Sequence, residues 1–391
     1  MRPIYVFTNR VYPPLGGATG ELLKEMAEEL ARGGARVVVV TSRGPADMQL
    51  AKQERVNGVE LIRVGGASFT RATHFRRAWS YAGLYPQLAW QVWRMGAVDA
   101  TVSMTDPPMH VAVMALAAYR AKKRIHWAQD IYPELAAELG VFSLPKFMVR
   151  ILQGVSTWAL QRQHDVVVLG RDMQKRVIAR GVDVSRVDVI ANWSSVKKAD
   201  TEDILAKRKQ LRWDGKFVAM YSGNLGLAHD FETLVKAADL LRGSDVRLVF
   251  AGEGPRLERL RQAMVPFEHV SFLPPQPRMD LGAFLGAADV HLVTVRRGLS
   301  GLVVPSKVYG ILAVGGPLLY VGPLDSDVAK LLQSSGAGVS VKNGDAEKVA
   351  QTLRSLAGDP TKLAAMGRSS QHLAKTFTLA NATRQWSELL R

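Results

Sequence analysis

Ser306 and Lys307 stand where two patterns meet, in the stretch Gly301–Pro317 (GLVVPSKVYGILAVGGP). Before them come the apolar Leu302, Val303 and Val304, then Pro305. After them Val308, Ile311 and Leu312 recur at helical spacing until Gly315–Gly316–Pro317. Proline favours the first helical position, and glycine followed by proline ends helices, so Ser306 and Lys307 are expected in a helix's first turn. Free backbone N–H groups and the helix dipole favour an anion there. Lys307 adds a full charge and Ser306 a hydroxyl, which together make a phosphate site. The alternative is a capped surface helix whose lysine is solvated. Further candidates follow other apolar runs. Gly16 and Gly17 come after IYVFT, and their missing side chains would let a ligand approach the backbone. Gln129, Asp130 and Glu134 lie in RIHWAQDIYPEL, where a carboxylate could move a proton, or where Asp130 could cap a helix ahead of Pro133. Gly223, Asn224 and His229 lie in SGNLGLAH, and Gly252, Glu253 and Gly254 in AGEGP. Glu253 reads equally as a ligand contact or a loop cap.

The elements that position these residues alternate between strand and helix. Ile4–Thr8 is a strand and 20–32 a helix with Leu22, Leu23, Met26, Ala27 and Leu30 on one face. Val37–Thr41 is the next strand. All-apolar strands of this kind belong to parallel sheets covered on both faces, which bind ligands at their C-terminal ends. Asp99–Met104, Ile125–Ala128, Val166–Leu169 and Val187–Ala191 continue the first half. Residues 192–212 are polar and read as a linker. The pattern then restarts with Phe217–Tyr221, a glycine loop and a helix over 230–241, and runs on through Val246–Ala251, Val270–Leu273, Val290–Val295, Leu318–Val321 and Gly338–Val341. Two doubly wound Rossmann-like α/β domains facing each other across a cleft are expected: 1–195, with a C-terminal helix at 377–391 packing back on it, and 196–376.

A chain of 391 residues exceeds one core, which agrees with two domains. Cysteine is absent, so there is no disulfide framework and no thiolate chemistry, which suits a reducing compartment. The N-terminal residues read as a strand rather than a leader, and no apolar run is long enough for a membrane span. The net charge of +16 points to a polyanion: nucleic acid, anionic lipid or a phosphorylated substrate. No nucleic-acid module is recognisable and the basic residues are dispersed. The segment 69–94 interleaves Arg71, Arg76, Arg77 and Arg94 with Phe69, Phe75, Trp79, Tyr81, Tyr85, Trp90 and Trp93, which suits an anionic membrane interface. Aromatics packed on the sheet are the alternative, and Pro86 is expected to interrupt the helix. Lys122–Lys123–Arg124 lends weak support to the interface. Neither a dinucleotide fingerprint nor a Walker motif is present.

The second half, through YSGNLGLAHDFETL, VFAGEGPR and VPSKVYGILAVGGP, resembles the nucleotide-sugar-binding half of GT-B glycosyltransferases of the large retaining family 4. The first half is similar through YPPLGG and QDIYPE, the latter resembling a bacterial subgroup that builds surface polysaccharides on lipid-linked carriers. The resemblance implies transfer of a hexosyl or N-acetylhexosaminyl group from a nucleoside diphosphate sugar, UDP-linked, to a lipid-linked or glycan hydroxyl, with retention. It implies no obligatory metal, no cofactor beyond the nucleotide-sugar substrate, no nucleic-acid partner, and a cytoplasmic site on the inner face of the membrane. Donor and diphosphate contacts carry over to Gly16, Gly17, Gly223, Asn224, His229, Gly252, Glu253, Gly254, Pro305, Ser306 and Lys307. Asp130 falls where the resemblance places a catalytic histidine or aspartate, with Glu134 as second candidate. Two family glutamates eight positions apart correspond here approximately to Leu302 and Gly310. A sugar-nucleotide epimerase of the same architecture is the alternative, and it would need carboxylates and histidines clustered over the sugar.

Overall fold

The computed structural model describes residues 2–44, 48, 50–65, 74–141 and 145–391, except the side chains of 74–80. The chain forms two compact units: Met1–Ala191 with Gly301–Val304 and Leu379–Arg391, and Asn192–Ser300 with Pro305–Thr378.

The first unit is an eight-stranded sheet of β1 (Ile4–Thr8), β2 (Arg36–Ser42), β3 (Gln53–Val56), β4 (Val59–Val64), β5 (Val98–Met104), β6 (Ala121–Trp127), β7 (Asp165–Val168) and β8 (Val187–Val189). Their order is β3-β4-β2-β1-β5-β6-β7-β8, and all pairs are parallel except β3 with β4. The central β1 and β2 are almost wholly buried, as their unbroken apolar runs require. Sequence periodicity gave no sign of the β3–β4 hairpin, because β3 carries Gln53, Glu54 and Arg55 at an exposed edge. Its turn is Asn57–Gly58, both at positive φ, as a two-residue hairpin demands. β6 begins four residues earlier than the apolar pattern indicates. Lys122 and Lys123 therefore lie in a strand, where Lys122 pairs with Asp99 at 2.7 Å and Lys123 donates to the Leu389 carbonyl at 2.8 Å. Both therefore take part in the fold, although the Lys122 side chain stays 76% exposed.

The helix His74–Arg94 runs through Pro86 without ending, contrary to the break expected there. The ring removes one N–H, but Ala82, whose carbonyl loses that partner, is exposed and can turn to water. At the other end of the chain, helix Leu379–Leu390 seats Trp386 against Trp127 of β6, with ring centroids 4.9 Å apart and both rings fully buried. Trp386→Ala should destabilise this unit by about 3–5 kcal/mol, the usual cost of emptying a buried indole site. Urea unfolding followed by circular dichroism measures it; an unchanged midpoint would remove the helix from the core.

The second unit is a six-stranded parallel sheet of β9 (Phe217–Ser222), β10 (Val246–Ala251), β11 (Val270–Leu273), β12 (Val290–Thr294), β13 (Leu318–Val321) and β14 (Gly338–Val341), in the order β11-β10-β9-β12-β13-β14. The expected linker is not wholly irregular: Thr201–Gln210 is a helix of this unit. None of its residues is buried, so apolar periodicity could not announce it. Arg208 anchors it, bonding the Ala287 carbonyl at 2.8 Å and pairing with Asp289 at 3.2 Å. In each sheet the strand order reverses once, between β1 and β5 and between β9 and β12, and ligands of open α/β sheets bind at such points.

Candidate functional site

In the second unit, the loops after β9 and β10 interlock. Leu225 N–H donates to the Glu253 carbonyl at 2.8 Å, and Arg256 N–H to the Leu225 carbonyl at 3.0 Å. Gly223, Gly252 and Gly254 have φ of 124°, 137° and 149°. A Cβ on Gly252 would stand 2.1 Å from the Gly223 carbonyl oxygen, and one on Gly254 2.5 Å from Asn224 Oδ1. These two glycines thus serve loop-to-loop packing before any ligand arrives. Gly252→Ala combines that clash with a disfavoured φ, so it should cost at least about 2 kcal/mol and displace the Gly223 loop. A urea midpoint equal to the parent's would contradict this.

Lys307 opens helix Lys307–Val314, with Ser306 as its N-cap and Gly315 (φ 77°) closing it. Pro305 lies just outside the helix rather than at its first position, because Ser306 takes the cap. The exposed Ser306 hydroxyl caps no N–H of its own helix. The Lys307 stem is half-buried and its amine is buried, without a hydrogen-bond partner among the described residues. Nζ lies 3.4 Å from the centroid of the Tyr221 ring, and a Cβ on Gly223 would meet it at 3.7 Å. Burial depresses the Lys307 pKa well below its ordinary value. A cation over an aromatic face is partly stabilised, yet its three N–H donors stay unused. His229 Nδ1–H donates to the Thr294 carbonyl at 2.7 Å. Burial, and then the Lys307 charge, push the His229 pKa down to about 3. The ring is therefore neutral and brings no positive charge to the donor contact that the resemblance carries over to it. Asn224 and Glu253 are exposed at the rim. Tyr221, which sequence reading passed over as a strand residue, forms the floor. It is buried, and its hydroxyl donates to the Asn224 carbonyl at 2.8 Å.

In the first unit, Asp130 follows β6. Thr105 Oγ1 accepts from Gln129 N–H at 2.8 Å. Asp130 is bridged to Val303, and Ile131 N–H donates to the Leu302 carbonyl at 3.0 Å. Leu302, one of the two positions that correspond to a family glutamate, is thus a buried backbone anchor. Burial first, then the charge of Asp106, push the Asp130 pKa up to about 7. Asp106 is itself held by Arg10 at 2.6 Å. Beside Asp130 lies a small cavity lined by Thr105, His126, Asp130, Tyr132 and Arg180. His126 and His110 are buried and neutral, with pKa values lowered to about 4 and about 3 by desolvation. Glu134 pairs with Arg180, which also donates to Ser156 at 3.0 Å. Glu134 is therefore committed to an ion pair and is poorly placed to move a proton. Gly16 has open space around it, while a Cβ on Gly17 would press on Val11 at 3.1 Å. Gly17 caps helix Ala18–Arg32, and its carbonyl accepts from Gly20 and Glu21.

Of segment 69–94, residues 69–73 lie outside the described residues, as do the side chains of Phe75, Arg76, Arg77 and Trp79. Trp90 and Trp93 are exposed and stacked at 5.0 Å. Tyr85 is directed inward, donating to the Pro108 carbonyl. No helix among the described residues is long and apolar enough to cross a membrane.

Residues 17–193 match the glycosyl transferase 4-like domain, and residues 203–373 match the glycosyl transferases group 1 family. Escherichia coli (strain K12) WcaI, named for a glycosyl transferase of colanic acid biosynthesis, is 27% identical over 379 residues, covering 90% of this chain and 91% of its own. Pseudomonas aeruginosa WbjE, named as a glycosyltransferase, is 24% identical over 261 residues, or 65% of each chain. The crystal structure of Anabaena Alr3699/HepE in complex with UDP-glucose superposes with a TM-score of 0.76 at 16% identity, covering 99% of each chain. Neither matching domain family is described as one of epimerases, and of the groups that reading would recruit, Asp130, Glu134 and His229, Glu134 is already paired with Arg180. With two Rossmann-like sheets and both domain families in order along it, the chain is a GT-B glycosyltransferase, a glycosyl transferase 4-like domain followed by a glycosyl transferases group 1 domain.

Proposed function

We propose that this enzyme moves a hexosyl or N-acetylhexosaminyl group from a UDP-sugar to a hydroxyl of a lipid-linked glycan, with retention, in surface-polysaccharide synthesis at the inner face of the membrane. The observation that carries the reading is the buried, unpartnered Lys307 amine at a helix N-terminus. A polar group left unsatisfied in a low-dielectric site is costly, and a diphosphate would satisfy it while gaining the helix dipole. Supporting it, the colanic acid relative is named for a surface polysaccharide and the Anabaena structure holds UDP-glucose.

In this reading Lys307, Ser306 and the first-turn N–H groups stabilise the departing diphosphate, a preorganised electrostatic contribution. Gly16 and Gly17 leave backbone accessible to the donor. Asp130 accepts or orients the acceptor proton, and a carboxylate titrating near 7 is matched to that task. Neutral His229 can serve only as a hydrogen-bonding group. No metal or cofactor is invoked. Isothermal calorimetry with UDP, GDP, ADP, dTDP and uridine tests the reading. Diphosphates should bind, with UDP preferred, and uridine should be far weaker. Absence of heat with every diphosphate would sink it.

A further inference from the structure

The helix Lys146–Gln161 buries Ser156, Ala159 and Leu160. Its outer side carries Phe147, 62% exposed, and Ile151, 60% exposed, with Met148 and Val155 alongside them. Residues 147, 151 and 155 follow one another at four-residue intervals, so they form one continuous stripe. A helix covering a soluble core shows the reverse pattern. Helix His110–Ala117 packs beside it and in turn beside His74–Arg94. These neighbours extend the apolar surface with Leu116, 65% exposed, Tyr119, and the stacked Trp90 and Trp93. The Arg120 guanidinium stands 5.4 Å from the Tyr119 ring and 5.6 Å from that of Trp93, and Arg162 stands 4.5 Å from that of Trp158. Segments 74–97, 110–120 and 146–164 contain no Asp or Glu, where a composition of 35 acids in 391 residues would place about five. Arg94, Arg120, Lys146, Arg150 and Arg162 lie among or beside the apolar side chains. Exposed aromatics and long aliphatics, arginines at their margin and no acid are the composition of a layer resting in anionic headgroups.

We infer that this three-helix face, centred on Phe147 and Ile151, is the surface by which the enzyme docks on anionic lipid bilayers. The inference rests on the lipid-acceptor reading. It shifts the contact from segment 69–94 to a face whose centre is the helix Lys146–Gln161, with Trp90 and Trp93 at its edge.

The test is co-sedimentation of the full chain with vesicles of phosphatidylcholine alone and of phosphatidylcholine with phosphatidylglycerol, for the parent and for the double variant Phe147→Ser/Ile151→Ser. Both side chains are exposed, so folding should be retained, and circular dichroism confirms it. The parent should partition onto the anionic vesicles, and the variant at least about tenfold less. Val265→Ser, at a still more exposed apolar site in the second unit, should bind as the parent does. Quenching of tryptophan fluorescence by dibrominated lipid should weaken in Trp90→Phe/Trp93→Phe. Equal partition of parent and double variant would overturn the inference. So would indifference of the parent to lipid charge, or concentration-dependent self-association of the parent, abolished by the double variant, without vesicle binding. Failure of this surface is separable from failure of the functional reading: calorimetry with UDP does not involve vesicles and should give the same heat for parent and double variant.

Discussion

Lys307→Met should abolish the UDP-induced rise in melting temperature, lower kcat/KM by about 10²–10³, and leave the unliganded protein as stable as the parent or more so. The three outcomes share one cause. Before a diphosphate binds, the amine lies buried against Tyr221 without a hydrogen-bond acceptor among the described residues. Methionine fills similar space and carries no such cost. A bound diphosphate reverses the balance, because charge-assisted bonds at low dielectric are strong. Differential scanning fluorimetry with and without UDP reads the first and third effects, and donor-turnover assays read the second. A lysine that merely filled space would give a variant with an intact UDP response, and the phosphate-site reading would then fail. Because burial holds the Lys307 pKa down and an anion would raise it, UDP binding should also take up protons at alkaline pH. Calorimetry in buffers of different ionisation enthalpy measures that uptake.

Asp130→Asn carries the second large effect. Turnover should fall by about 10²–10⁴ with UDP affinity within about twofold, because the residue is argued to serve the acceptor proton rather than the nucleotide. The parent's kcat should rise with pH and level off above about 7, where the carboxylate becomes ionised. The same shift has a stability consequence of opposite sense. Asp130 is protonated in the native state up to about pH 7, while in the unfolded chain it ionises near the ordinary aspartate value of 3.8. Between those values the native state holds the extra proton, so stability falls as pH rises through that window, by up to about 4 kcal/mol, and is level above it. The asparagine variant lacks this slope. Urea midpoints at pH 5 and pH 8 distinguish the two proteins. A pH–rate profile unmoved by the substitution would remove Asp130 from the chemistry.

Strands whose residues are buried on both faces were legible in the sequence, because a short apolar run between turns has few other readings. β13, buried along its whole length, falls on the residues that pattern selects, and so do the edge strands β11 and β14, though they are only partly buried. Elements whose cohesion comes from polar groups were not. Helix Thr201–Gln210 buries none of its residues, and edge strand β3 turns Gln53, Glu54 and Arg55 to solvent, so that only its Asn57–Gly58 turn could announce it. The residues around Ser306 and Lys307 could be read because helix start and stop signals are local. That the lysine lies over Tyr221, 86 positions earlier, could not. Nor could the Asp130–Val303 bridge or the Glu134–Arg180 pair, since pairing across such separations leaves no periodic trace. The neutrality of His229 depends on burial and on the nearby Lys307, which a motif does not carry.

The first unit draws on three separate stretches, and the last of them, Leu379–Arg391, is made only after the whole of the second unit. A ribosome that has delivered all eight of its strands has not yet supplied the acceptor at Leu302 or the indole that covers Trp127. Vectorial synthesis therefore leaves the N-terminal sheet waiting, with Trp127 uncovered and open to chaperones, until residues 379–391 emerge.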